Sequence, residues 1–531
     1  MKQVIKRRNR YILILILIVQ LLVSLWVADK KDYLFFDEVF SYISANNIDG
    51  SSSNFKENVW MDESWFVNYM GVQDEHRFEY TIPYYNQIED VHPPLFYFFL
   101  HMACSFVPGQ FSYFAGIVFN IVFFLASTIV LFFLCRKVYE DDGCALIVSF
   151  LYAISYGGLN TMVFVRMYML LTLFTLLHMY VYIKYFESDE VSIKSCVLLA
   201  ITLLGGVLTQ YYFLFVAFLL AVWYGIKFLI RKQYMNLIKY VGTIFASAGI
   251  CLLTWPSILS HLFLGGRGQE AQGNLLSLDG YLPALKEMFR ILSNEMFTKL
   301  LVVILFGLVG LFLICLKKGE AINRVLWKKS AVILFLCVGY YAIVSKVAPY
   351  LVERYIMPIY PLVYLLIVGA SYSLLKKLIP VKLAGIMCVV GFAGLSIVHI
   401  VHSGIPYTYE KNQNNRERHQ IVEEYSDCYA IYISDDKGAH FYDAVQMLKE
   451  YRGYYYVFDL QNIETVKSDM NLLKNEEQVL IYVKDKRTTE EANQFIQSVF
   501  PSCSLNENSL IDVDEKWSVY LLEIENYGEK I

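Results

Sequence analysis

Residues 11–28 read YILILILIVQLLVSLWVA, and MKQVIKRRNR (1–10) precedes them with five basic side chains. Eighteen almost unbroken apolar residues reach about 27 Å as a helix, close to the hydrocarbon thickness of a bilayer. A signal peptide has a shorter apolar core and a small-residue cleavage site, and no Ala-x-Ala follows here. The stretch predicts an uncleaved first transmembrane helix with a cytoplasmic amino terminus.

The whole chain agrees with that start. Its 531 residues are 56% hydrophobic and 18% charged, with mean hydropathy +0.43; soluble domains carry about a quarter charged residues. The net charge of -4 provides no basic field for nucleic acid. Ten cysteines show no CxxC spacing, and the eight from Cys104 to Cys388 sit in or beside apolar stretches, where they read as small core residues.

Further apolar segments fall near 111–134, 143–160, 167–185, 195–209, 211–230, 240–256, 299–316, 330–346, 355–375 and 381–403, about eleven spans in all. Alternate connections carry the basic residues: Arg136/Lys137; Lys184 and Lys194; Arg231/Lys232; Lys317/Lys318, Arg324 and Lys328/Lys329; Lys376/Lys377. This bias places those connections in the cytoplasm, provided that the short stretch 93–107 enters the membrane and returns without crossing.

Two regions then lie outside. Residues 29–92 form a long loop containing WMDESWFVNYM (60–70), read as an interfacial helix. Residues 405–531 alternate β-rich runs (428–434, 454–460, 478–484, 517–524) with helical patterns (439–451, 463–474, 489–500), which predicts a small parallel sheet covered by helices. Cys428 and Cys503 in this region either pair or stand as free thiols. The expected fold class is therefore mainly α and multi-span, residues 1–404, with a small C-terminal α/β extracytoplasmic domain, 405–531.

Ionisable residues at a membrane face are costly unless paired or used. FFDEVFSY (35–42) sets Asp37 and Glu38 among aromatic residues just after the first span. IEDVHPPLFYFF (88–99) sets Asp90 and His92 ahead of two prolines that start a helix. Each motif alone is commonplace in loops; the two together are specific.

This pair resembles the signatures of the protein O-mannosyltransferase superfamily, which includes dolichyl-phosphate-mannose protein mannosyltransferases, lipid A aminoarabinose transferases and bacterial family 39 glycosyltransferases. VRMYMLL (165–171), with Arg166 and Tyr168, is similar to the family's Arg-x-Tyr. ERYIMPIYPLVYLL (353–366), with Arg354 and Tyr355, is similar to its late Arg-Tyr-x-x-Pro segment. The likeness covers roughly residues 11–403. It implies a GT-C fold and transfer of a sugar from a polyprenyl-phosphate donor to a cell-envelope glycan, lipid or protein acceptor on the outer face. In it Asp37 matches the catalytic base, Glu38 its acidic companion and Asp90 a second acidic position, while His92 opens the HPPL motif and substrate-binding roles fall to His92, Arg166, Tyr168, Arg354 and Tyr355. An acidic pair such as Asp37-Glu38 can hold a divalent metal, but relatives commonly work without one, so none is expected. Two departures stand out: FSYFAGIVFN (111–120) lacks the arginine that usually follows the HPPL helix, and Phe164-Val165 precedes Arg166 where some relatives carry Gln or Glu-Ala.

The chemistry follows from the residues as well. Phosphate is a good leaving group, so an acceptor hydroxyl chiefly needs a base. Attack opposite the phosphate inverts the anomeric carbon, and arginines offer the departing phosphate bidentate contacts. Two other readings compete: a lipid-linked oligosaccharide ligase or polymerase, whose key loop usually comes late in the chain, and a lipid or polysaccharide transporter. Transporters usually carry repeats and mid-membrane ionisable residues; here there is no internal repeat, and His178 is the notable polar residue within a span.

Overall fold

The computed structural model describes residues 7–50, 58–187, 191–277, 279–319, 324–434, 441–457, 460, 463–484, 488–513 and 517–524. Lys2 and Lys6 of the basic amino terminus and part of the loop 29–92 lie outside the described residues. The chain divides into two compact units. One comprises Met1–Lys30, Gln87–Leu100 and Tyr113–Thr408; the other comprises Lys31–Asn86, His101–Ser112 and Tyr409–Ile531. The division differs from a boundary at residue 404: most of the first long loop belongs with the C-terminal residues.

The first unit is a multi-pass membrane bundle. Among the described residues eight helices are long and apolar enough to cross a bilayer, and ten if each of two bent pairs counts as one span; Ile193–Thr209 is a shorter apolar helix, so the expected eleven are reached only with it. The first span, Arg7–Asp29, buries Asn9, Leu13, Ile16, Gln20, Ser24 and Val27. That spacing of three and four residues marks one helix face, while Ile14, Leu15, Ile18 and Leu22 stay exposed on the other. Gln20, the polar interruption in the apolar run, donates from Nε2 to the Phe124 carbonyl at 3.3 Å, an interhelical bond of the kind that joins membrane helices.

Each bend has a local cause. Asp142–Ala153 and Tyr156–Val163 meet at 52°, where Ser155 caps the second helix by accepting from the Gly158 N–H at 3.1 Å. Tyr281–Phe297 and Leu301–Lys317 meet at 76°, where Thr298 and Lys299 adopt positive φ of 52° and 67°, which ends the first helix. Glycine permits close helix packing elsewhere: a Cβ on Gly369 would stand 2.5 Å from the Tyr139 ring. His178 is a packed polar residue, its Nδ1 2.8 Å from Thr202 Oγ1. The stretch 93–107 forms one helix, Leu95–Cys104, about 15 Å long and too short to cross.

The second unit is built on a six-stranded sheet. Its strands are β1 (Trp60–Met61), β2 (Tyr429–Ile433), β3 (Gly453–Val457), β4 (Gln478–Lys484), β5 (Leu510–Val513) and β6 (Trp517–Glu523), in the order β1-β3-β2-β4-β6-β5. β2, β3 and β4 are parallel, and β2 and β3 are buried along their whole length, as strands covered on both faces must be. The sheet is mixed rather than wholly parallel. β5 alternates half-buried and exposed residues and pairs antiparallel with β6; this reversal lays β6 antiparallel against β4.

β1 comes from the first long loop. Trp60 pairs with Tyr455 and Met61 with Tyr454 in antiparallel register. The Trp60 ring lies 5.1 Å from Tyr429 and 5.2 Å from Tyr455, and its Nε1 donates to the Asp469 carbonyl at 3.0 Å. The expected interfacial helix at 60–70 is thus a strand followed by a helix, Glu63–Met70, capped by Asp62, which accepts from Ser64 N–H at 2.9 Å. Cys428 and Cys503 are both free.

Candidate functional site

Helix Thr81–Glu89 ends just before Asp90, and Pro93-Pro94 start the next helix, where the Phe98 N–H donates to the Pro94 carbonyl at 3.0 Å. Asp90 and His92 are held in the short bend between. His92 Nδ1 stands 2.8 Å from Asp90 Oδ2. With Nδ1–H donated to the carboxylate, Nε2 is left as an acceptor, and Arg166 Nη2 lies 3.4 Å from it. Arg166 Nη1 donates to Tyr97 Oη at 3.2 Å. Arg166 is 5% exposed, so its charge is enclosed by the protein. The turn that delivers it is pinned twice at Phe164, whose carbonyl accepts from the Arg166 N–H at 2.7 Å and from Asn120 Nδ2 at 2.7 Å.

Burial alone would raise the Asp90 carboxyl, but the neighbouring His92 and the more distant Arg166 outweigh it and hold it down at about 2. A carboxylate that acidic is a weak proton acceptor at neutral pH. Its geometry suits holding the imidazole and, through it, the guanidinium.

The turn continues into Tyr168, which opens helix Tyr168–Val181. Its ring meets Tyr355 edge-on at 6.5 Å, and Tyr355 packs at 5.0 Å against Tyr212. Arg354 lies over the Tyr355 ring at 5.3 Å, and the Tyr355 carbonyl accepts from Tyr340 Oη at 3.0 Å. Below it Glu353 accepts from Tyr407 Oη at 2.5 Å. Hence Asp90, His92 and Arg166 form one set of contacts in this unit and Tyr168, Tyr355 and Arg354 another, joined by the turn at Phe164, whose ring stacks on Tyr168 at 5.8 Å.

Asp37 and Glu38 belong to the other unit and play different parts there. Both lie in the first turn of helix Phe36–Asn46. Glu38 is fully buried; its carboxylate pairs with Lys31 Nζ at 2.9 Å and accepts from the Phe35 N–H at 2.7 Å. This suits a helix cap and an ion-pair anchor. Burial lowers the Lys31 pKa, and Glu38 opposes that shift. Asp37 is half-buried beside the Phe36 and Phe40 rings, which contact edge-on at 4.8 Å.

Sequence reasoning missed a second network. Trp255 Nε1 donates to Tyr211 Oη at 2.9 Å, Tyr211 Oη lies 2.9 Å from His261 Nδ1, and His261 Nε2 lies 3.1 Å from the Ile88 carbonyl. With the proton on Nε2, His261 caps one of the carbonyls that the end of helix Thr81–Glu89 leaves unpaired, two residues before Asp90. The signal was faint: one histidine in TWPSILSHLF (254–263).

No protein-family model matches the chain, and no curated protein does. Solved structures do. ArnT from Cupriavidus metallidurans bound to undecaprenyl phosphate aligns with a TM-score of 0.51 at 11% identity, over 96% of this chain and 97% of that one. The chain has the GT-C fold. The apo state of the same protein aligns at 0.47 with 11% identity, over 96% and 97% of the two chains. An Archaeoglobus fulgidus oligosaccharyltransferase in complex with zinc and sulfate aligns at 0.40 with 12% identity, over 87% and 69%. The fold is thus the one that the paired acidic and HPPL motifs imply.

Two measurements probe these contacts. Glu38→Gln leaves Lys31 buried without its counter-charge and is expected to cost about 3–5 kcal/mol, read as a lowered thermal midpoint in detergent, whereas Asp37→Asn is expected to leave that midpoint near wild type. Asp90, with its folded pKa depressed from 3.8 to about 2, contributes stability that is full above the unfolded value and is lost as pH falls toward 2. The difference in thermal midpoint between wild type and Asp90→Asn should therefore be constant from neutral pH down to about 5 and shrink below 4.

Proposed function

We propose that the chain is a membrane glycosyltransferase that moves a sugar from a polyprenyl-phosphate donor to an acceptor on the outer face of the cell membrane, with inversion. The observation that carries this reading is the enclosed Arg166, held by His92 and Tyr97, two residues before Tyr168, which contacts Tyr355 under Arg354. Guanidinium groups suit a lipid phosphate, and the solved neighbour is bound to undecaprenyl phosphate. The aromatic rings beside them offer faces for a sugar.

In this mechanism Asp37 takes the proton of the acceptor hydroxyl as its oxygen bonds to the anomeric carbon. The carbon–oxygen bond to phosphate breaks on the opposite face, and the electron pair leaves with the lipid phosphate toward Arg166 and Arg354. The role of Asp37 rests on its match to the family motif and on its half-buried place in the first turn of helix Phe36–Asn46. Asp90 serves as the orienter of His92.

The test is consumption of an undecaprenyl-phosphate-linked sugar by the purified full chain in detergent, where a transporter would give no product. Arg166→Ala and Arg354→Ala each remove charge-assisted bonds worth about 1.5–3 kcal/mol, so a loss of roughly ten- to over a hundred-fold is expected; unchanged rate and donor KM in both would return the arginines to structural roles. Asp37→Asn should lose about 10²–10⁴-fold, and Asp90→Asn less. Normal turnover by Asp37→Asn together with an inactive Asp90→Asn would reverse the two assignments.

Orientation is part of the proposal. With the amino terminus in the cytoplasm, cysteines placed at exposed Glu75 and Asn412 should react with an impermeant thiol reagent in intact cells, in a background with the native cysteines replaced. Labelling at neither site would invert the scheme.

A further inference from the structure

Within the membrane unit, a lateral cavity of about 720 Å³ lies between helices Leu301–Lys317, Arg324–Val347 and Tyr360–Leu378. The proposed chemistry makes no use of it. It follows the last of these helices from Ile359 to Lys377, about 27 Å at 1.5 Å per residue and near the hydrocarbon thickness. Leu305, Leu334 and Val338 on its walls are exposed, so it opens sideways. Water gains nothing in an apolar groove at membrane depth; a hydrocarbon chain does.

The polar groups are arranged asymmetrically. Deep in the groove, Tyr139 Oη already donates to the Leu365 carbonyl at 3.1 Å and Tyr341 Oη to the Leu285 carbonyl. The charged lining residues, Lys376 and Lys377, both stand at one end, with Ser373 beside them; Phe289, Leu292 and Ile359 close the other. Among the described residues around the basic end, Glu140 pairs with Lys329 at 3.0 Å, Asp141 with Lys376 at 2.5 Å and Asp142 with Arg136 at 2.7 Å. Lys317, Lys318, Lys328 and Lys382 add further positive charge to that helix end. Basic pockets between membrane helices attract anionic headgroups.

We propose that this groove is a binding site for an anionic phospholipid, its phosphate at Lys377 on the basic face and an acyl chain along the groove. On the proposed mechanism the donor's phosphate lies at the other end of the same helix, beside Arg354, and there a lipid lying in this direction is a second ligand and not the substrate. The inference stands whether or not the transferase reading holds.

The experiment is thermal unfolding of the full chain, purified and washed of lipid in detergent, with phosphatidylglycerol, phosphatidylcholine or undecaprenyl phosphate added. A ligand that binds the folded state raises the midpoint. Phosphatidylglycerol should raise it by about 2 °C or more, and phosphatidylcholine should not. Lys377→Gln, which removes the charge, and Ala370→Trp, which fills the groove, should each abolish the increment. Equal shifts with both phospholipids, or a phosphatidylglycerol shift that survives in both variants, would overturn the proposal. A shift seen only with undecaprenyl phosphate and lost in Ala370→Trp would assign the groove to the donor's chain and overturn it equally. If Ala370→Trp does not fold, Lys377→Gln at the groove mouth decides alone.

Discussion

A guanidinium enclosed at the end of a membrane helix must have acceptors, and that requirement organises the membrane unit's polar face. Removing a charge from water costs several kcal/mol unless partners replace the solvent. Arg166 finds one in the Tyr97 hydroxyl and one in the His92 ring, and His92 can accept only because Asp90 takes its other proton. The bend before Pro93, the turn at Phe164 and the start of helix Tyr168–Val181 are each placed so that this chain of contacts closes. The Ile88 carbonyl, fixed from the far side by His261, extends the same logic into the helix that precedes Asp90.

Much of this was legible in the residues. The spans were visible because hydrocarbon demands long apolar runs, and the proline pair announced the helix that follows His92. The four central strands of the C-terminal region stood out for their β-branched and aromatic content. What escaped detection was information that only folding supplies. β5 is short and half-exposed, so its pattern is weak, and without it the sheet reads as wholly parallel. Trp60-Met61 looks interfacial because two large apolar residues in a loop carry no sign of a strand partner nearly four hundred positions away. Tyr97 hides among phenylalanines, and only its hydroxyl distinguishes it.

The adjacent carboxylates show a subtler limit. Asp37 and Glu38 look equivalent in sequence, yet successive helical residues point about 100° apart. One such step turns Glu38 inward to Lys31 and leaves Asp37 half-buried. A buried ion pair adds little net stability over an apolar substitute, but it fixes which carboxylate faces inward. In this way Lys31, a residue without chemistry of its own, determines the direction that Asp37 takes.

The pairing of β1 with β3 also bears on how the chain can be divided. β3 would otherwise present a row of unpaired N–H and C=O groups at the sheet's margin, and bare margins of this kind recruit other strands. Two residues from an early loop seal it. The C-terminal segment is therefore not a detachable module in the usual sense: cut free at residue 405, it would carry an open, sticky border and lack the Trp60 ring that covers Tyr429 and Tyr455. Any rearrangement of the gene that separated the two pieces would have to supply a replacement border. Their order in the chain is thus tied together by a seam two residues long.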